Sequence, residues 1–208
     1  MRGLKIVLWL AAVIGCAALG LGAWFAVSLL HNGLSARATP SRLETFLAQH
    51  ARRMSIPSDA KGAANPVTDS AEVQRDARLH FADHCAVCHG NDGGGDNAMG
   101  RGLYPKPPDL RGARTQKLSD GELFWTIENG VRFTGMPAFG GSSEHGNSED
   151  TWKLVRFIRH LPRLTADERM EMEKYNPKGP EDRAEEQREE DFLKGSAPQP
   201  AAASPHHH

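Results

Sequence analysis

Cys85-Ala86-Val87-Cys88-His89 is the stretch from which the rest of the chain is read. Two thiols three positions apart stand one helical turn from each other, and an imidazole follows the second directly. C-x-x-C-H is the attachment signature of a c-type haem: each thiol adds to a vinyl group on one porphyrin edge, and the imidazole ligates the iron from that side. The rival readings are a zinc knuckle, a thioredoxin-like redox pair and a disulfide. A structural zinc site wants four ligands, and the one other cysteine, Cys16, lies in an apolar run. A thioredoxin-like pair wants a βαβ setting, and no strand-like alternation flanks Cys85.

The 208 residues suffice for one ordinary domain with appendages. A formal net charge of -1 offers no general attraction to nucleic acid, and none is expected as a partner. With 39% hydrophobic residues, 21 Gly and 13 Pro, the core is modest and the loops many. A covalent porphyrin would add apolar bulk to a domain too small to stabilise itself by packing alone.

Ile6 to Leu30 is a nearly unbroken apolar run. As a helix it extends about 37 Å, enough for a hydrocarbon core of about 30 Å with some tilt. Arg2 and Lys5 precede it, which puts the N-terminus on the cytoplasmic side and the remainder outside. The run exceeds the apolar region of a secretory signal, so residues 1–32 are expected to be an uncleaved single-pass anchor. Two processing alternatives stand beside it. Ala36-Arg37-Ala38 resembles a cleavage site, and Val13-Ile14-Gly15-Cys16 resembles a lipoprotein box, although the apolar stretch after Cys16 argues against lipidation.

Residues 33–68 form a prefix. Thr39 to Met54 has the pattern of an amphipathic helix, opened by Pro40 and Ser41, with Leu43, Phe46, Leu47 and Met54 on one face and Arg42, Arg52 and Arg53 around it. Such a helix either lies on the outer membrane face or a partner, or is a solvated spacer with an incidental stripe. Ser55 to Ser70 reads as a linker.

Residues 69–164 carry the motif. Asp69 to His84 is expected to be a helix running into Cys85, with Phe81 turned towards the haem or the last helix. Asn91 to Gly95 (NDGGG) is a turn whose glycines permit φ > 0. The proline-rich Leu103 to Leu110 (LYPKPPDL) is an extended loop with free carbonyls, of the kind to which a ligating imidazole donates its other N–H. Ser119 with Glu122 predicts a capping box for a helix over Asp120–Asn129, closed by Gly130. Trp125 packs against the porphyrin edge or fills the core. In Gly135-Met136-Pro137-Ala138-Phe139, the proline keeps Met136 off a regular helix, where its thioether can reach inward. Met99, His80, His84 and His145 are weaker candidate ligands. Thr151 to Leu161 is an apolar-striped helix stopped by Pro162.

Residues 165–208 are acidic, partly helical and then disordered. Between Asp167 and Lys194 there are 11 acidic and 6 basic residues, 6 − 11 = −5. This run is a solvated segment or, on the sharper reading, a docking surface for a basic partner. His206, His207 and His208 could hold a metal loosely or do nothing.

The Cys85–His89 motif, the LYPKPPDL loop, the helix ending IENGV and the following GMPAF, in that order, resemble a class I monohaem cytochrome c over about Asp69 to Leu164. The resemblance implies an all-α fold of about three to five helices around one haem, here behind a transmembrane helix. It implies thioethers at Cys85 and Cys88, His89 as the proximal and Met136 as the distal iron ligand, and a proline carbonyl, Pro108 ahead of Pro107 and Pro105, accepting the proximal imidazole's N–H. First and last helices crossing would bring Phe81 near Trp152 and Phe157. The implied function is one-electron transfer by one covalent haem c, without enzymatic turnover, to or from a respiratory redox protein that is itself membrane-bound. The anchor over residues 6–30 would hold the chain in a bacterial cytoplasmic membrane with the haem domain in the periplasm. The alternatives are a gas-binding or peroxidase-type haem protein, which needs an open sixth iron position, and a structural subunit whose haem staples the fold.

Overall fold

The computed structural model describes residues 2–32, 35–141 and 148–194. The expectations for His145, for most of the polar loop before Asp150, and for Ser196–His208 with its three terminal histidines lie outside these residues. Helix is the regular structure of the described residues, about two thirds of the chain, and no strand occurs among them.

The first helix, α1 (Arg2–Asn32), is apolar on all sides. Within its Arg2–Ser28 stretch an 18-residue run has a mean hydropathy of 2.3, and the helix is long and apolar enough to cross a membrane. After it comes α2 (Arg42–Ser55), capped by Ser41, whose Oγ accepts from the Glu44 N–H at 3.2 Å.

The stretch read as a linker is more structured than its composition suggests. It contains a short helix, α3 (Ser58–Gly62), and the side chain of Ile56 just before it is buried. The backbone of α3 lies directly on the helix over Asp120–Asn129. A Cβ added at Gly121 would stand 1.8 Å from the Ala60 carbonyl oxygen, so only glycine allows the approach. Further on, Asn65 donates to the Trp152 carbonyl at 2.9 Å, and Arg156 donates to the Val67 carbonyl at 2.9 and 2.7 Å. Half-buried partners of this kind are invisible to a reading by polarity.

Helix α4 (Ala71–His80) is capped by Ser70 and passes through one π turn, Phe81–Cys85, into α5 (Ala86–His89). Two single turns come next, α6 (Ala98–Arg101) and α7 (Ala113–Gln116). Helix α8 (Asp120–Asn129) has the expected capping box, with Ser119 and Glu122 bonding each other's backbone N–H, and Gly130 closes it. Helix α9 (Ser148–His160) ends in a 3-10 turn, Leu161–Arg163, that holds Pro162.

The core lies where α9 packs on α4 and α8. Ala77 and Phe81 meet Leu154, Val155, Phe157 and Ile158 from one side, and Leu123 and Ile127 come from the other. Phe81 and Phe157 pack edge-on at 5.2 Å between ring centroids. Trp152 instead stacks on Phe124, at 4.1 Å and 15°. Beyond the core, α10 (Ala166–Glu173) lies in the acidic run yet buries Met172 completely, while α11 (Pro180–Leu193) is exposed along most of its length.

Candidate haem-attachment site

Cys85 closes the π turn and Cys88 lies in α5, with His89 as its last residue. Both thiols are free. Burial pushes the Cys85 thiol up to about 12, with Cys88 adding to the shift, and burial also raises Cys88. A thiolate is the nucleophile of disulfide exchange, so groups held in the thiol form are poorly suited to dithiol redox work. No cluster of three or more metal-ligating residues occurs among the described residues.

The backbone around the motif is tied down locally. Gly90 ends α5 at φ +72°, and its N–H donates to the Ala86 carbonyl at 2.7 Å. The glycine turn then folds back, so that the Gly95 N–H reaches the His89 carbonyl at 2.7 Å. Gly93 and Gly95 both hold positive φ, and a Cβ on Gly95 would meet the Pro107 carbonyl oxygen at 2.7 Å. Asn97 supplies what sequence reasoning missed. Its amide donates to the Ala86 and Val87 carbonyls at 3.0 and 3.1 Å, while its Oδ1 caps α6 by accepting from Gly100 at 2.7 Å. The signal was an N-cap residue in a loop that otherwise reads as flexible.

His89 sits between this turn and the proline segment. Burial is the larger influence on its imidazole and brings it down to about 4, against the opposing pull of the Pro108 carbonyl. The ring is therefore neutral near pH 7, the form that ligates a metal. Its Nδ1 is buried without a hydrogen bond of full geometry, and the Pro108 carbonyl is the backbone acceptor acting on the ring. The proline segment is held beside the motif by the Leu110 N–H, which donates to the Gly93 carbonyl at 2.8 Å.

The methionine loop returns to the end of α8. Phe139 and Gly140 donate to the Ile127 and Glu128 carbonyls at 3.1 and 2.9 Å, satisfying acceptors that a helix terminus leaves open. Inside the loop, the Met136 N–H donates to the Thr134 hydroxyl at 3.1 Å and its carbonyl accepts from Val131 at 3.1 Å. A Cβ on Gly135 would meet the Leu103 side chain at 2.7 Å, so this loop and the proline segment touch. Met136 and Cys85 are both half-buried against the same core cluster. Met99 is 53% exposed and is not part of that cluster. His80 on α4 and His84 in the π turn lie with their rings tilted at 45° and 4.8 Å between centroids, and Trp125 is half-buried on α8.

Two free thiols one turn apart, a neutral half-buried imidazole directly after them with an unpartnered buried Nδ1, and the Pro108 carbonyl acting on that ring fit a covalently attached haem. The fold and this site together define a class I c-type cytochrome domain behind an apolar N-terminal helix. Residues 72–158 match the family model described as Cytochrome C oxidase, cbb3-type, subunit III. The match covers the motif domain, under half of the chain, and implies haem-based electron transfer through covalently bound haem c. No curated protein matches the chain.

Proposed function

We propose that the chain is a single-electron carrier, tethered to a membrane by α1 and holding one haem c through Cys85 and Cys88. In this reading His89 is the proximal ligand, Met136 the distal ligand, and the Pro108 carbonyl the acceptor for the His89 Nδ1–H. The observation that carries it is the state of His89: half-buried, neutral, and with the Pro108 carbonyl acting on its ring, directly after two free thiols.

A bound haem supplies a one-electron couple at its iron. The chain does the rest. Burial keeps a lone pair on the His89 ring, and the Pro108 carbonyl fixes which nitrogen carries the proton. Thr134 and Val131 hold the backbone of Met136 in a fixed place. Phe81 and Ala82, both fully buried, keep water from the inner side of the motif. Val87 on the motif and Phe133 on the methionine loop are 45% and 92% exposed, apolar surface suited to a small and short-lived contact with a redox partner.

The tether favours a membrane-bound partner by raising local concentration. Arg2 and Lys5 ahead of the apolar run support a cytoplasmic N-terminus and a periplasmic haem domain. The description of the matching family, an oxidase subunit, supports a respiratory partner.

The absorption spectrum of the ferric protein tests the ligand set. The weak near-red sulfur-to-iron band is expected in the wild type and is lost in Met136→Ala. A wild type without the band, or a variant that keeps it, overturns the assignment of Met136.

A further inference from the structure

The amphipathic helix α2 is mounted inside out. On a helical projection Leu43, Phe46, Leu47 and Met54 share one side, and Thr45, Gln49 and Arg52 share the other. The polar side faces the domain. Thr45, Gln49 and Arg52 are half-buried, and Glu44 accepts a hydrogen bond from the Tyr104 hydroxyl. At the edge of that side, Arg53 Nε meets Glu122 Oε1 at 3.4 Å. The apolar side faces away, with Leu43, Phe46, Leu47 and Met54 at 58, 54, 56 and 77% exposure. A surface helix of a globular domain has the reverse arrangement, because its apolar stripe is what attaches it to the core. Here side-chain pairing does the attaching, and four large apolar side chains are left for something outside the domain.

The chain itself limits what that can be. Helix α1 ends at Asn32 and α2 begins at Arg42, so residues 33–41 join them, a span of at most about 30 Å when fully extended. On the reading of α1 as a membrane anchor, on which this inference rests, α2 is confined to the neighbourhood of the lipid surface. Its charges suit that place. Arg42 and Arg53 border the apolar side, and the Arg53 side chain is 69% exposed despite its pairing. The one acidic residue of the helix, Glu44, is turned to Tyr104. An apolar stripe bordered by long cationic side chains, on a helix of low overall hydrophobicity, is the pattern that lies in the headgroup layer.

We propose that α2 lies in the plane of the outer bilayer surface. Leu43, Phe46, Leu47 and Met54 enter the boundary between headgroups and acyl chains, and Arg42 and Arg53 reach anionic lipid phosphates. The domain is then held against the membrane in one orientation. Because Tyr104 belongs to the proline segment beside His89, the contact with lipid and the attachment site belong to one body through the Glu44–Tyr104 bond.

The test uses the full-length holoprotein in nanodiscs of phosphatidylcholine and phosphatidylglycerol. A fluorophore is placed on the native Cys16, or on Leu47→Cys or Ala48→Cys in a Cys16→Ser background. Emission is compared between unbrominated lipids and lipids brominated along the acyl chain. The Cys16 and Leu47 probes are expected to lose most of their emission, the latter to shallow bromines, and the Ala48 probe, on a different side of α2, little. A Leu47 probe quenched no more than Ala48, with Cys16 quenched, overturns the proposal and leaves the anchor standing. An unquenched Cys16 probe overturns the anchor and the proposal with it. A Leu47 probe that escapes lipid quenching yet is shielded from aqueous iodide assigns the face to a second copy or another protein, and also overturns the proposal.

Discussion

Gly130 closes α8 with φ at +64°, and a Cβ there would stand 2.5 Å from the Pro137 carbonyl carbon, one residue after Met136. Gly141 is as left-handed, at φ +77°, but has open space around it. Both Gly→Ala variants incur the cost of a left-handed residue, about 1–2 kcal/mol. Gly130→Ala must in addition push the methionine loop away. We therefore expect Gly141→Ala to lower unfolding stability by about that amount and Gly130→Ala by clearly more, read from denaturant melts of the holoprotein. Only the second should also weaken the near-red band. Sequence showed the need for glycine at Gly93, Gly95 and Gly130, because turns and helix ends have recognisable neighbours. It did not show Gly121, whose φ is ordinary and whose constraint is the Ala60 carbonyl from a distant part of the chain. Asn97 was missed for the same reason: its two carbonyl partners lie ten and eleven residues back, across a turn.

Helices with caps at one end and a periodic stripe were legible as elements, as α8 and α9 show. The π turn was not, because one inserted residue shifts the phase of the downstream helix without changing the hydrophobic spacing enough to be noticed. The joint between α4 and α10 was also hidden. Arg78 is buried, and its guanidinium donates to Glu168 Oε1 at 2.9 Å and Glu171 Oε2 at 2.5 Å, while His160 Nε2 meets Glu168 Oε1 at 3.0 Å. Burial alone would raise the Glu168 carboxyl. Hydrogen bonds from the Thr165 backbone, His160 and the Thr165 hydroxyl outweigh it and bring Glu168 down to about 2 from 4.5. Arg78 and then Arg75 hold Glu171 below the usual range as well. A carboxyl depressed in the folded state contributes stability that is present above its unfolded pKa and is lost as pH falls through the folded one. Unfolding stability should therefore decline between about pH 4.5 and about pH 2, and Glu168→Gln should be less stable at pH 6 but decline less over that range. Urea melts at about pH 6 and about pH 3 check both. A variant whose acid sensitivity equals that of the wild type would show that the joint does not set it.

At the scale of the molecule, the question is where the stable unit ends. The family match stops at residue 158, and the composition turns acidic a few residues later. Charge counting sees the 165–194 run as one solvated segment, since a single apolar side chain scarcely alters its average. The structure divides it. In α10, Met172 is fully buried in the same cluster as Phe81 and Phe157, and the acidic residues Glu168 and Glu171 answer a buried cation on α4. In α11 the long apolar side chains Phe192 and Leu193 are 77% and 82% exposed, and among the described residues its ion pairs join Lys178 to Glu186 and Lys194 to Glu190. Ending the chain after Gly179 should accordingly leave thermal stability of the holoprotein nearly unchanged. Ending it after Leu164 removes Met172 from the core, a loss of about 2–5 kcal/mol by analogy with Met→Ala, and strands Arg78 without its carboxylates, which adds several kcal/mol more. The shorter form should unfold at a far lower temperature or fail to retain a native spectrum. Met172→Ala in the full chain isolates the packing share, and Arg78→Met, which removes the buried charge, should recover part of the stability lost on truncation at Leu164. Equal stability of the two truncated forms would show instead that the domain is complete without α10.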